Sequence, residues 1–315
     1  MKVAVLMGGT SAEREVSLST GRQIVAALDP EKYEASSLDT TDLPQLAVAP
    51  KAERPDVVFI ALHGPGGEDG AVQGFLETLG IPYTGSGVLA SALAMDKYRC
   101  KTFLATESIN TPPGMVYFRQ DAPRIRRAPG EVTRNLGYPV IVKPSRQGST
   151  YGCTVVDTEG DMASALSKAF AYDDTVLVEQ RLAGTEITVS VLGNHYPEAL
   201  PVVEIVPPEG FFDYESKYSQ DPDKAAEEIV PARLPDDILR EAQEIAIRCH
   251  RMLGCRGMSR TDMFVLEHGD VVTLEVNTIP GMTPTSLLPK AAAAAGISFA
   301  ELCDKLIAFA LEKPV

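Results

Sequence analysis

Residues 3–79 alternate short β-rich runs with helical patterns, and few architectures accept that order. Residues 3–7, 34–38 and 56–61 read as strands, whereas Leu18, Ile24, Val25 and Leu28 mark one helix face and Val72, Phe75, Leu76 and Leu79 another. Such alternation implies an α/β unit with a parallel sheet and helices on its faces. Ligands of a sheet like this gather at the C-terminal ends of its strands, where Gly8, Gly9 and His63 lie.

The pattern then changes. A helix is expected around residues 96–107, and the charged segment 119–131, with Pro123 and Pro129, reads as a surface connection. Residues 140–143, 154–156 and 176–179 read as strands around a glycine-containing loop, which suggests a second, smaller unit. Beyond Leu182 come longer strands at 186–192 and 201–206, and a polar, aromatic stretch at 210–225 without periodicity. A stretch of that kind inside a folded unit points to function, and Tyr214, Lys217 and Tyr218 suggest a lid. Residues 235–253 carry a helical stripe of Ile238, Ala242, Ile245 and Cys249 between Pro235 and Gly254. Ser298 with Glu301 forms a capping box for a last helix, and residues 291–295 read as a helix against a close neighbour. A chain of 315 residues exceeds one ordinary core. The expected division is 1–95, 96–182 and 183–315.

Charge excludes one class of partner. The formal net charge of −14 gives no basic surface to displace counterions, so general nucleic-acid binding is not expected. Five cysteines, Cys100, Cys153, Cys249, Cys255 and Cys303, are odd in number and lack metal spacing, which reads as reduced thiols in a cytoplasmic protein. The apolar run at residues 3–7 is too short for a signal region, and no run approaches a membrane span.

Chemistry concentrates in residues 273–283, together with Arg260 and Asp262. Strand side chains alternate between faces, so Glu275 and Asn277 share one side, and Asp262 can join them from a neighbouring strand. Hard oxygen donors, few in number, suit Mg²⁺ shared with phosphate rather than a closed protein cage. The loop 143–152 follows an apolar strand; Gly148 and Gly152 can turn N–H groups toward an anion, and Ser149 and Thr150 add hydroxyls. It is not a Walker A loop, and alone it reads equally well as a hairpin turn. Lys143 favours the anion site, since a lysine closing a buried strand needs a partner. Lys97 offers a second cation, though a solvated helix lysine is the blander reading. Glu179 and Gln180 end another apolar strand, where a nucleoside could share backbone groups. Gly8-Gly9 invites comparison with a dinucleotide loop, with Asp39 in the ribose role. The third glycine is absent, and Glu13 would put negative charge where a pyrophosphate should sit. Glu13 suits an ammonium group instead, and with His63 it could orient a small zwitterion. His195, His250 and His268 receive no role.

Taken in order, residues 8–17, Leu62-His63-Gly64, Met95-Asp96-Lys97, Lys143-Pro144-Ser145, Gly148-Ser149 and residues 275–283 resemble the D-alanine:D-alanine ligase family over nearly the whole chain. The resemblance implies the ATP-grasp fold: an N-terminal Rossmann-like domain, then central and C-terminal α+β domains with ATP between them. It implies phosphorylation of one D-alanine carboxylate by ATP and attack by the amine of a second, for peptidoglycan precursor synthesis. By the same resemblance Lys97 and Lys143 hold phosphates, and Glu179, Gln180, Leu182 and Glu186 contact adenine and ribose. Asp262, Glu275 and Asn277 bind two Mg²⁺, with Mn²⁺ as a substitute. Glu13 takes the first ammonium, with His63 near its carboxylate. Arg260 and the Gly281 N–H stabilise the oxyanion, a role worth roughly 3–4 kcal/mol per donor in comparable sites. Ser286 and Leu287 fix the second substrate; Lys217 and Tyr218 close over the site, Tyr218 linking through Ser149 to Glu13. A homodimer is implied too, and activation by potassium or another monovalent cation stays open with no residue assigned. Gln180, the Thr150-Tyr151 pair and Phe212 depart from the family pattern. The alternatives are a depsipeptide ligase joining D-alanine to D-lactate, a dinucleotide-dependent oxidoreductase resting on Asp39, and a silent nucleotide-binding protein.

Overall fold

The computed structural model describes residues 1–148, 150–207, 226–283 and 285–312. Ser149, Phe212, Tyr214, Lys217 and Tyr218, and with the last four the expected lid, lie outside the described residues.

Three sheets form among the described residues. The first takes β1 (Lys2–Met7), β2 (Glu34–Asp39) and β3 (Val57–Ile60) in the order β2-β1-β3, all parallel. Val3, Val5, Leu6 and every residue of β3 are buried, as continuous apolar strands require when both faces are covered. The helices α1 (Arg14–Ala27), α2 (Leu43–Val48), α3 (Ala71–Leu79) and α4 (Val88–Met95) belong to this half of the chain. α5 (Lys97–Ala105) follows at once, opened by Asp96, whose carboxylate accepts the Arg99 N–H at 3.2 Å.

The second sheet is antiparallel, in the order β4-β7-β5-β6: β4 (Gly114–Phe118), β5 (Val140–Pro144), β6 (Thr154–Val156) and β7 (Thr175–Gln180). Its core also takes α6 (Ala122–Asn135) and α7 (Met162–Phe170). Here the expectation of a surface connection at 119–131 fails. Pro123 stands in the first turn, where its missing N–H costs nothing, and Asp121 caps that turn by accepting the Arg124 N–H at 3.1 Å. Pro129 does lie inside the helix, yet Ile125, Ala128 and Val132 form a stripe packed on the sheet. Burial of that stripe outweighs the proline.

The third sheet runs β11-β10-β8-β12-β13, with β9 on the side of β8. Its strands are β8 (Thr185–Leu192), β9 (Glu198–Ala199), β10 (Val203–Val206), β11 (Glu227–Ile229), β12 (Met258–Val265) and β13 (Val271–Asn277). The amphipathic α8 (Asp236–Leu253) covers it and stops at Gly254 in the left-handed conformation (φ +70°). Cys100 and Leu104 of α5, on the central side of the expected boundary after residue 95, pack in this core rather than in the second sheet's.

The last two helices, α9 (Leu287–Ala294) and α10 (Phe299–Leu311), return to the first sheet. Leu302, Cys303, Leu306 and Ile307 share one buried cluster with Val3, Val5 and Phe59. The Ser298/Glu301 capping box forms as expected. All five cysteines are free thiols, four of them buried. No helix among the described residues is long and apolar enough to cross a membrane.

Candidate active site

The acidic strand pair forms one constellation. β12 and β13 pair antiparallel with Arg260 opposite Asn277 and Asp262 opposite Glu275, and the register shifts just beyond Asp262. Asp262 Oδ1 accepts from Thr188 at 2.5 Å and Arg260 Nε at 2.8 Å; Oδ2 accepts from Arg260 Nη2 at 2.7 Å and Asn277 Nδ2 at 3.0 Å. Glu275 Oε2 pairs with Lys97 at 3.1 Å. The three oxygen-bearing side chains therefore converge, as a strand-face argument predicts. The set fits a divalent cation: hard carboxylate and amide oxygens on one face, with acceptors now engaged by Arg260, Asn277 and Lys97. Among the described residues no three His, Cys, Asp or Glu side chains cluster into a closed cage.

A cavity of about 590 Å³ lies between the second and third sheets. Lys97, Lys143, Glu179, Gln180, Leu182, Glu186, Asp262 and Glu275 all line it, which unites every described residue expected to hold nucleotide. The N-terminal end of α5 is clamped to the loop that follows β5. Ser145 Oγ donates to Asp96 Oδ1 at 2.7 Å, the Lys97 N–H donates to the Ser145 carbonyl at 3.0 Å, and Lys97 Nζ reaches the Gln147 carbonyl at 2.7 Å. Thr150, one of the family departures, lines the cavity with a left-handed backbone (φ +64°). Glu179 is 3% exposed, and its carboxylate is held between Lys143 and Lys101. Burial opposes that charge, but the two lysines hold Glu179 below the usual carboxylate range.

A smaller cavity of about 100 Å³ opens beside it, lined by Glu13, His63, Glu68, Arg260, Asn277, Gly281, Ser286 and Leu287 among others. Gly148 and Glu275 belong to both cavities. Glu13 occupies the N-cap position of α1 without a side-chain capping bond and is buried. The backbone approaches it closely: a Cβ on Gly64 (φ +73°) would stand 2.5 Å from Glu13 Oε2, and one on Gly148 2.9 Å away. Gly64→Ala is thus expected to push Glu13 aside and to strain a left-handed residue, raising the KM for amino acid at least about tenfold at a stability cost of about 1–2 kcal/mol. Unchanged steady-state kinetics would contradict this. Ser286 Oγ accepts the Thr283 N–H at 3.0 Å and lies 2.8 Å from where a Gly281 Cβ would sit.

His63 is driven down to about 4, first by burial and then by the charge of Arg260, so its ring is neutral at pH 7. Thr20 Oγ1 lies 3.3 Å from its Nε2. Glu68 escaped the sequence reading. Its signal was a carboxylate five residues after His63 in a glycine-rich turn, which reads as solvated. Glu68 Oε2 accepts the Gly64 N–H at 2.7 Å, and burial together with nearby Glu13 pushes it up to about 8. Burial and the neighbouring Glu13 carboxyl thus favour the protonated form of Glu68. The unfolded carboxyl loses its proton near 4.5. Stability contributed by protonated Glu68 is therefore complete below about 4.5 and lost as pH rises toward about 8. Glu68→Gln should stabilise the fold relative to the parent by an amount that grows across that window. Urea unfolding at several pH values measures it, and a pH-independent difference would refute the assignment.

Asp39, the ribose candidate of the oxidoreductase alternative, is taken by Arg14 at 2.7 Å, and that guanidinium holds it down to about 2.

Comparison with known proteins decides the family. The model described as D-ala D-ala ligase C-terminus matches residues 103–308, and the D-ala D-ala ligase N-terminus model matches 2–43 and 35–86. The chain belongs to the D-alanine–D-alanine ligase family. The D-alanine–D-alanine ligase of Pelotomaculum thermopropionicum is 47% identical over 99% of this chain and 97% of its own. That of Syntrophobacter fumaroxidans is 48% identical over 99% and 98%. The crystal structure of the Bacillus anthracis ligase complexed with ATP matches with a TM-score of 0.82, 34% identity and coverage of 99% and 97%. The fold is accordingly that of the ATP-grasp ligases expected from the motifs.

Proposed function

We infer that this chain is an ATP-dependent ligase that joins two D-alanine molecules into D-alanyl-D-alanine, releasing ADP and phosphate, for peptidoglycan precursor synthesis. One observation carries the reading: the nucleotide cavity and the small cavity around Glu13 share Glu275 and Gly148 as a common wall. The transferable phosphate of a nucleotide held by Lys97 and Lys143 then adjoins a carboxylate held beside Arg260 and His63. Phosphorylation activates that carboxylate, and the second amine attacks the acyl phosphate.

Glu13 anchors the first ammonium. Gln180, Leu182 and Glu186 face the nucleoside, and Glu179 supports the lysines. Arg260 and the Gly281 N–H stand where negative charge develops on the tetrahedral carbon's oxygen. Ser286 and Leu287 orient the second substrate. Asp262, Glu275 and Asn277 would hold Mg²⁺ or Mn²⁺, which supplies charge neutralisation for phosphoryl transfer. To Lys217 and Tyr218 we assign closure over the site, with Tyr218 linked through Ser149 to Glu13; all three lie outside the described residues. We assign nucleotide to the junction of units 96–182 and 183–315, and amino acid to their junction with 1–95. Free buried thiols favour the cytoplasm, and family membership favours a homodimer. The relatives named above favour the dipeptide over the depsipeptide product.

ADP release that requires both D-alanine and Mg²⁺, with the dipeptide identified by mass spectrometry, is the expected result. Turnover without D-alanine, or none with any amino acid, would overturn it.

A further inference from the structure

Lys101 has no place in the roles above, yet it is only 8% exposed. It lies one helical turn after Lys97 on α5, and its ammonium pairs with Glu179 Oε1. The other oxygen of Glu179 holds Lys143 at 2.6 Å. One carboxylate thus serves two lysines from different elements. Gly114 on β4 closes in behind: a Cβ there would stand 3.0 Å from Glu179 Cγ, so the glutamate has little room to swing. Lys143 and Glu179 line the nucleotide cavity, and Lys101 stands behind them.

Charge arithmetic gives the consequence. Glu179 with Lys143 alone is a neutral buried pair, which exerts little pull on a polyphosphate. With Lys101 the set carries one net positive charge, where burial limits screening. We propose that Lys101 is a positioning residue for the nucleotide: by satisfying Glu179 it fixes the carboxylate and leaves Lys143 with charge to offer the phosphates. The proposal rests on reading the cavity as the ATP site. Burial pulls Lys101 down to about 8, Glu179 opposing that fall and Lys143 adding to it, so the ammonium remains charged at pH 7.

The test uses the full chain, with ADP–Mg²⁺ affinity from calorimetry and kcat and KM for ATP from D-alanine-dependent ADP release. Lys101→Met should weaken nucleotide affinity about tenfold and leave kcat within about threefold, whereas Lys101→Arg keeps both within about threefold. The double variant Lys101→Met/Glu179→Gln restores the native net charge of the set, because Lys143 alone then carries one positive charge. It should recover most of the lost affinity. A merely structural Lys101 predicts a double variant at least as impaired as the single one. Parental affinity in Lys101→Met, no recovery in the double variant, or an arginine variant as weak as methionine would each overturn the proposal. If Lys101→Met shows no cooperative melt, the other two variants decide against the parent: affinity within about threefold in both supports the proposal, and a loss of about tenfold in either overturns it. Failure of the unsubstituted chain to bind ADP would overturn the site reading itself.

Discussion

Glu275→Gln is expected to lower D-alanine-dependent ADP release by at least about a thousandfold in a protein that still melts cooperatively. The substitution keeps shape and removes charge at a side chain that, among the described residues, is both common to the two cavities and paired with Lys97. Glutamine still offers an oxygen, but it neither balances Lys97 nor provides the anionic donor that a divalent cation prefers over an amide. Nucleotide affinity without metal should fall far less than turnover. A variant that retains more than about a tenth of the parental rate would remove Glu275 from the chemistry.

Arg260→Met should cost about a hundredfold to a thousandfold in turnover and also destabilise the fold. Two of the four donors on Asp262 come from the Arg260 fork, at 2.8 and 2.7 Å. Their loss leaves a buried carboxylate half-satisfied, at a cost of about 2–4 kcal/mol in urea unfolding. Arg260→Lys keeps the charge but cannot reproduce a bidentate geometry, so its turnover should still fall by at least about tenfold. Parental kinetics in the lysine variant would show that charge alone suffices. Parental stability in the methionine variant would show that Asp262 finds other partners.

The constellation of Arg260, Asp262, Glu275 and Asn277 was legible because strand periodicity is strict. Glu275 and Asn277 are two residues apart on β13, and Arg260 and Asp262 two apart on β12, so one antiparallel pairing brings all four together. The clustering of Lys97 with Lys143 was legible only through the family resemblance, since no local pattern says that the start of α5 docks on the end of β5. That contact depends on Ser145 and Asp96, forty-nine positions apart in the chain. The helix at 122–135 was misread because proline and charge carry more weight in a local reading than the spacing of Ile125, Ala128 and Val132, whose effect appears only once a sheet lies beneath them. Glu68 was missed for a related reason: its raised proton affinity comes first from burial and then from Glu13, far away in sequence and adjacent only in the folded site.

The return of α9 and α10 to the first sheet bears on how the polypeptide is made. Phe59 and Val5 leave the ribosome long before Leu302 and Ile307 can cover them. During synthesis, then, the nascent N-terminal segment carries an apolar face that α9 and α10 come to cover late. Stop codons placed anywhere before α10 should therefore yield aggregates rather than a soluble fragment.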